Sequence, residues 1–180
     1  MAPDVWATIA AEAASESSLW AGALRPADER EAAPVFSPLA DEHHALGLET
    51  IYEGYLLHYG RSRLFEPADR NTGILLGDYL YAHGLVRIAA LGDVRVVLDL
   101  AELISLCSQL RAEPAGPAGA DAEAWAATAA ALGRANGRLE TARAALRDRG
   151  DPEPLARLAR EEAGAAAVAD ALRLHAERVL

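Results

Sequence analysis

Lysine is absent from the chain, cysteine occurs once, and aromatic side chains make up only 6% of its 180 residues. A lone Cys107 excludes an intrachain disulfide and any metal centre built on clustered cysteines, and it fits a reducing cytoplasm. It reads as a small buried hydrophobe. Long uninterrupted apolar runs are also missing. The most apolar stretch, 74–91, is broken by Asp78 and Arg87. The N-terminus has no basic region followed by an apolar run, so neither a transmembrane segment nor a signal peptide is expected, and the expected location is cytoplasmic. The net charge of -10 and the lack of an arginine-rich arm argue against nucleic acid or an anionic lipid surface as partner.

What is present is helical in character. Hydrophobic residues make up 52%, and the second half is dominated by Ala, Leu, Arg and Glu. The length suits one compact domain over 1–180. Within it the pattern predicts an N-terminal helix and loop (1–40), a core of helices (41–112), a linker (113–120) and C-terminal helices (121–180). The fold class expected is all-α, with six or seven helices and no strand.

Residues 4–21 predict the first helix, started by Pro3 and Asp4. Residues 22–40, with Pro26, Pro34 and Pro38, predict a loop that wraps the protein rather than packing into it. A helix over 41–60, capped by Asp41, carries His44, Leu48, Ile51, Tyr55 and His58 on one face and Glu42, Glu49 and Glu53 on the opposite one. The segment 74–91 is apolar almost all round and is expected to be central. Gly92 and Asp93 predict a stop and a new N-cap. The following helix, 94–111, has one narrow polar stripe of Arg95, Asp99, Glu102, Ser105 and Gln109. After the Pro- and Gly-rich linker, Asp121 is expected to cap a helix whose Trp125, Leu132, Leu139 and Leu146 recur every seven residues, with Asn136-Gly137 as a candidate break. Asp151-Pro152 starts the last helical segment.

The run Leu75-Leu76-Gly77-Asp78-Tyr79-Leu80, then Leu91-Gly92-Asp93 and the helix ending near Gln109, resembles the trans-polyprenyl diphosphate synthase family. Leu75, Gly77, Asp78, Tyr79 and Leu80 match that family's Gly-Asp motif. The match spans about 40 residues well and roughly 70 in all. The resemblance implies an isoprenoid-synthase-like helical bundle in truncated form. It also implies that 74–91 and 94–111 form a dimer interface, the second lining a prenyl-chain pocket. Gly77, Asp78, Leu80, Tyr81, His83, Val97, Leu100, Ile104 and Gln109 are thereby placed at an interface or cavity.

Catalytic members follow a histidine with aspartates that hold magnesium against a diphosphate. Here His58 is followed by Tyr59, Gly60, Arg61, Ser62 and Arg63, none of which can bridge magnesium to phosphate oxygens. Nothing after residue 113 contains two adjacent aspartates. Arg70 stands where an arginine precedes the Gly-Asp motif, as a remnant of phosphate recognition. The expectation is a non-catalytic small subunit that binds no cofactor itself, magnesium belonging to a catalytic partner synthase. The alternative is a homodimer that binds an isoprenoid or other lipid without turnover. A carboxylate metalloenzyme built on Glu42, His43, His44, Glu49, Glu53 and His58 is disfavoured, because His44 and His58 lie opposite the glutamates.

Overall fold

The computed structural model describes residues 4–113 and 119–179. The linker therefore lies largely outside the described residues. The elements are α1 (Val5–Glu16), α2 (Ser18–Gly22), α3 (Ala45–Tyr59), α4 (Arg70–Ala90), α5 (Val94–Ala112), α6 (Ala120–Ala130), α7 (Arg138–Arg149), α8 (Glu153–Ala163) and α9 (Ala165–Ala176). Three short 3-10 turns, Ala27–Glu29, Ser37–Leu39 and Glu42–His44, precede α3. The fold is all-α. Among the described residues, extended backbone is limited to isolated bridges pairing Leu24 with Phe65 and Gly60 with Val179.

The helices outnumber the six or seven expected because two segments break. Ser17 has an extended backbone and its hydroxyl accepts from the Leu19 amide, which ends α1 and caps α2. Gly164, at φ 88°, turns the chain between α8 and α9. The break anticipated at Asn136-Gly137 is present: α6 ends at Ala130 and α7 starts at Arg138. Capping by Asp4 and Asp93 follows the sequence pattern, each carboxylate accepting a backbone amide two residues on, while Asp151 stands one position before the Pro152 N-cap of α8 and accepts from the Glu153 amide. Asp41 and Asp121 do not cap their helices with their side chains.

α3, not α4, is the central helix. Every residue from Gly47 to Leu56 is buried, whereas α4 leaves Leu75, Ala82 and Val86 exposed. α3 and α4 run antiparallel and touch through glycines spaced seven apart on each: Gly47 faces Gly84, and Gly54 faces Gly77. A Cβ built on Gly54 would lie 2.8 Å from the Gly77 carbonyl oxygen, and one on Gly84 would lie 3.0 Å from that of Gly47. The backbones are in contact, so no side chain fits between them. The proline-rich segment 22–40 is also not a mere wrapping. Val35, Phe36 and Leu39 are buried in the main core with Tyr52, Trp125 and Leu155. Phe36 stacks on Trp125 at a centroid distance of 5.4 Å and meets Tyr52 edge-on at 5.2 Å. A second cluster joins α1 and α2 to α4 through Ile9, Ala13, Ala23, Leu64, Phe65, Leu76 and Leu80.

Candidate functional site

The C-terminal end of α3 carries the positions where the sequence suggested a lost metal site. His58 is half-buried, its Nε2 3.1 Å from Asp78 Oδ1, and its ring stacks on Tyr81 at 5.2 Å. Burial lowers its pKa, with Arg70 adding to the effect and Asp78 opposing it. Asp78 is 64% exposed and pairs with this imidazole. Its place in an apolar helix does not bury it, because α4 turns this position outward. Tyr59 packs on Tyr55, and its hydroxyl reaches Ser108 Oγ at 3.5 Å. Gly60 abuts the chain's own C-terminal segment. The Arg61 amide donates to the Arg178 carbonyl at 2.8 Å, and a Cβ on Gly60 would lie 2.5 Å from that same oxygen. Position 60 therefore has no room for a carboxylate side chain. Arg70, the first residue of α4, is exposed.

Arg63 has a different role from the one its place in the motif suggested. Its side chain is fully buried between Glu49 and Glu53, the two carboxylates that the helical wheel set apart as a polar stripe. Nε donates to Glu53 Oε2 at 2.9 Å, and Nη1 donates to Glu49 Oε2 at 2.7 Å and to the Ala33 carbonyl at 2.9 Å. The guanidinium also lies over the rings of Trp6 and Tyr52, at 4.5 and 5.0 Å. Burial alone would lower its pKa, but the two carboxylates outweigh that and raise it. The other glutamate oxygens hold backbone: Glu53 Oε1 accepts from the Arg63 and Leu64 amides and the Ser62 hydroxyl, and Glu49 Oε1 accepts from the Val35 and Ser37 amides. The network clamps both flanking loops onto α3. This is why a stripe of charge can face inward, and why α3 is buried on all sides.

The residues expected at an interface or cavity divide between two environments. Gly77, Leu80 and Leu100 are buried in the chain's own core, and Tyr81, Val97 and Ile104 are partly buried against it. His83 is partly exposed, its Nε2 2.8 Å from Glu12 Oε2, and Gln109 is exposed. The outward faces of α4 and α5 carry large apolar groups that touch little of the chain: Leu75 is 56% exposed, Val86 65%, Val94 71% and Leu98 55%, with Leu91 between them on the connecting turn. Among the described residues, most of the exposed large apolar side chains belong to this pair of helices.

Sequence reasoning missed a second buried polar centre. Asp121 accepts from the Tyr55 hydroxyl and from Arg111 Nε and Nη2, at 3.0 and 2.7 Å for the two nitrogens. His175, 3.9 Å from the same carboxylate, exchanges a hydrogen bond with the Tyr52 hydroxyl at 3.0 Å. Cys107 lies buried nearby, and burial pushes its thiol pKa up. These residues come from α3, α5, α6 and α9, so only tertiary structure brings them together. Burial would raise the Asp121 pKa, but the His175, Tyr55 and Arg111 partners hold it far below the usual carboxylate range. A pKa lower in the folded than in the unfolded state stabilises the fold above the unfolded value of about 3.9 and less so as pH falls below it. The urea midpoint is therefore expected to fall steeply from pH 5 to pH 3, and Asp121→Asn to flatten that dependence while lowering stability at pH 7. An unchanged slope in the variant would assign the acid sensitivity elsewhere.

No protein-family model, no curated protein and no solved structure matches this chain. Its functional reading therefore rests on the residues and their geometry. At the α3 end, an open cleft of about 310 Å³ is lined by Leu56, Leu57, Phe65 and Pro67 with Arg25 and Arg61 at its rim. Both arginines are paired, to Glu66 and Glu31. No helix of the described residues is long and apolar enough to cross a membrane.

Proposed function

We propose that this chain is a non-catalytic helical subunit of a heteromeric polyprenyl diphosphate synthase, docking on its catalytic partner through the outward face of α4 and α5. The observation that carries the reading is that face: Leu75, Val86, Leu91, Val94 and Leu98 in water on adjoining helices. Large apolar groups exposed on two consecutive helices are a usual mark of a protein partner. The resemblance of 75–111 to the polyprenyl synthases supplies the partner's chemistry, since it assigns these same helices to the dimer interface. The α3 end agrees with a role outside catalysis. Arg63 is engaged by two glutamates, Gly60 is closed off by the C-terminal segment, and neither offers oxygen ligands to magnesium.

Mixing the purified chain with a polyprenyl diphosphate synthase encoded in the same genome should give one species of summed mass by light scattering, with altered prenyl product length. Val86→Glu and Leu98→Glu, at exposed positions, should weaken that complex at least tenfold and leave thermal stability within about 0.5 kcal/mol of the parent. Separate elution with unchanged products would refute the subunit reading. A self-associated chain carrying apolar ligand, detected by mass spectrometry, would favour a lipid-binding homodimer instead.

A further inference from the structure

The turn entering α3 gathers three metal-ligating side chains that neither the core nor the α4–α5 face uses. Asp41, His43 and His44 each offer one ligand atom, all within 4.8 Å of one another. The 3-10 geometry of Glu42–His44 brings this about: residues three apart eclipse, so Asp41 and His44 fall on one side, and the His43 ring lies 3.8 Å from that of His44. Asp41 stands at the N-cap position, yet its carboxylate makes no capping hydrogen bond. His44 is only 5% exposed, and its Nδ1 has no hydrogen-bond partner. A buried imidazole nitrogen without a partner is an unmet ligand in a protein interior.

We propose that Asp41, His43 and His44 form a binding site for a divalent transition cation of the zinc type. Two imidazoles and one carboxylate suit zinc, cobalt or nickel rather than magnesium or calcium, which take oxygen ligands. Three protein ligands leave a fourth position for water or a neighbouring group. Tetrahedral bonds of about 2.0–2.1 Å set neighbouring ligand atoms roughly 3.4 Å apart. The three atoms lie within 4.8 Å of one another, so Asp41 and His43, both exposed, would have to turn toward the buried ring of His44 to reach that spacing. Coordination there would tie the loop before α3 to the helix start. It is independent of the partner reading.

The test is titration of metal-stripped, tag-free protein with Zn2+ by calorimetry and with Co2+ by visible absorption. Expected are one cation per chain, a tetrahedral Co2+ spectrum, a Zn2+-dependent rise in melting temperature and no response to Mg2+. Asp41→Asn and His43→Ala, both at exposed positions, should fold as the parent does by circular dichroism and weaken binding at least tenfold. Glu42→Gln, in the same turn, should leave it unchanged. Substoichiometric uptake, equal binding by all three variants, or an equal response to Mg2+ would overturn the site.

Discussion

Gly54→Ala is expected to destabilise the fold by about 3 kcal/mol, an unusually large effect for adding one methyl group. The new Cβ would meet the Gly77 carbonyl oxygen at 2.8 Å, and that oxygen belongs to the α4 backbone, which cannot swing aside as a side chain can. Relief requires α3 and α4 to move apart along their whole contact, opening the packing of Ile51 and Leu80 as well. Gly84→Ala should behave similarly, because its Cβ would press on the Gly47 carbonyl from the other helix. Gly22→Ala is the matched control: it ends α2, nothing lies within 4 Å of its added Cβ, and the lower entropy of the unfolded chain should make it neutral or stabilising by up to about 1 kcal/mol. Urea denaturation of the three variants checks the argument. A Gly54→Ala loss no larger than about 0.5 kcal/mol would show that the helices are not in backbone contact.

Arg63→Met is expected to cost about 3–5 kcal/mol, the range found when one partner of a buried ion pair is removed. The methionine fills much of the volume, so most of the loss comes from Glu49 and Glu53, left buried without their cation. Arg63→Lys should recover little. A single ammonium on a flexible stem cannot reach both carboxylates and the Ala33 carbonyl, which the planar guanidinium meets from fixed directions. The comparison is Arg173→Ala, which removes exposed pairs with Asp170 and Glu177 and should change stability by less than about 0.5 kcal/mol. Similar losses in Arg63→Met and Arg173→Ala, measured by urea midpoint at pH 7, would contradict a central role for the Arg63 network. The same variant bears on function. The family resemblance draws attention to Arg63 as the residue standing at a lost metal position, whereas the structure shows it anchoring the 33–37 and 62–65 segments.

The caps and periods of α4 and α5 are legible in sequence because they depend on near neighbours. Asp93 accepts from the Arg95 and Val96 amides, and Gly92 precedes it at φ 83°. The break between α6 and α7 is legible for the same reason, Gly137 taking the left-handed conformation at φ 70°. The orientation of α3 is not legible. Its glutamates form a stripe indistinguishable in sequence from a solvated one, and what buries them is an arginine ten residues past Glu53, brought back by a chain reversal. Phe36 was hidden among prolines that correctly signal an irregular backbone but say nothing of whether the side chain between them reaches the core. The Asp121 centre draws on four helices and has no local signature.

Composition and short-range pattern thus determined by themselves that the chain is helical and where most helices start and stop. These properties depend on residues a few positions apart, where backbone hydrogen bonding and periodicity operate. Tertiary structure alone decided which helix is central, which charges are buried and which apolar face is left in water. Each of those depends on groups distant in sequence meeting in space: a glycine seam that lets two backbones touch, and a guanidinium that allows two carboxylates to leave solvent together.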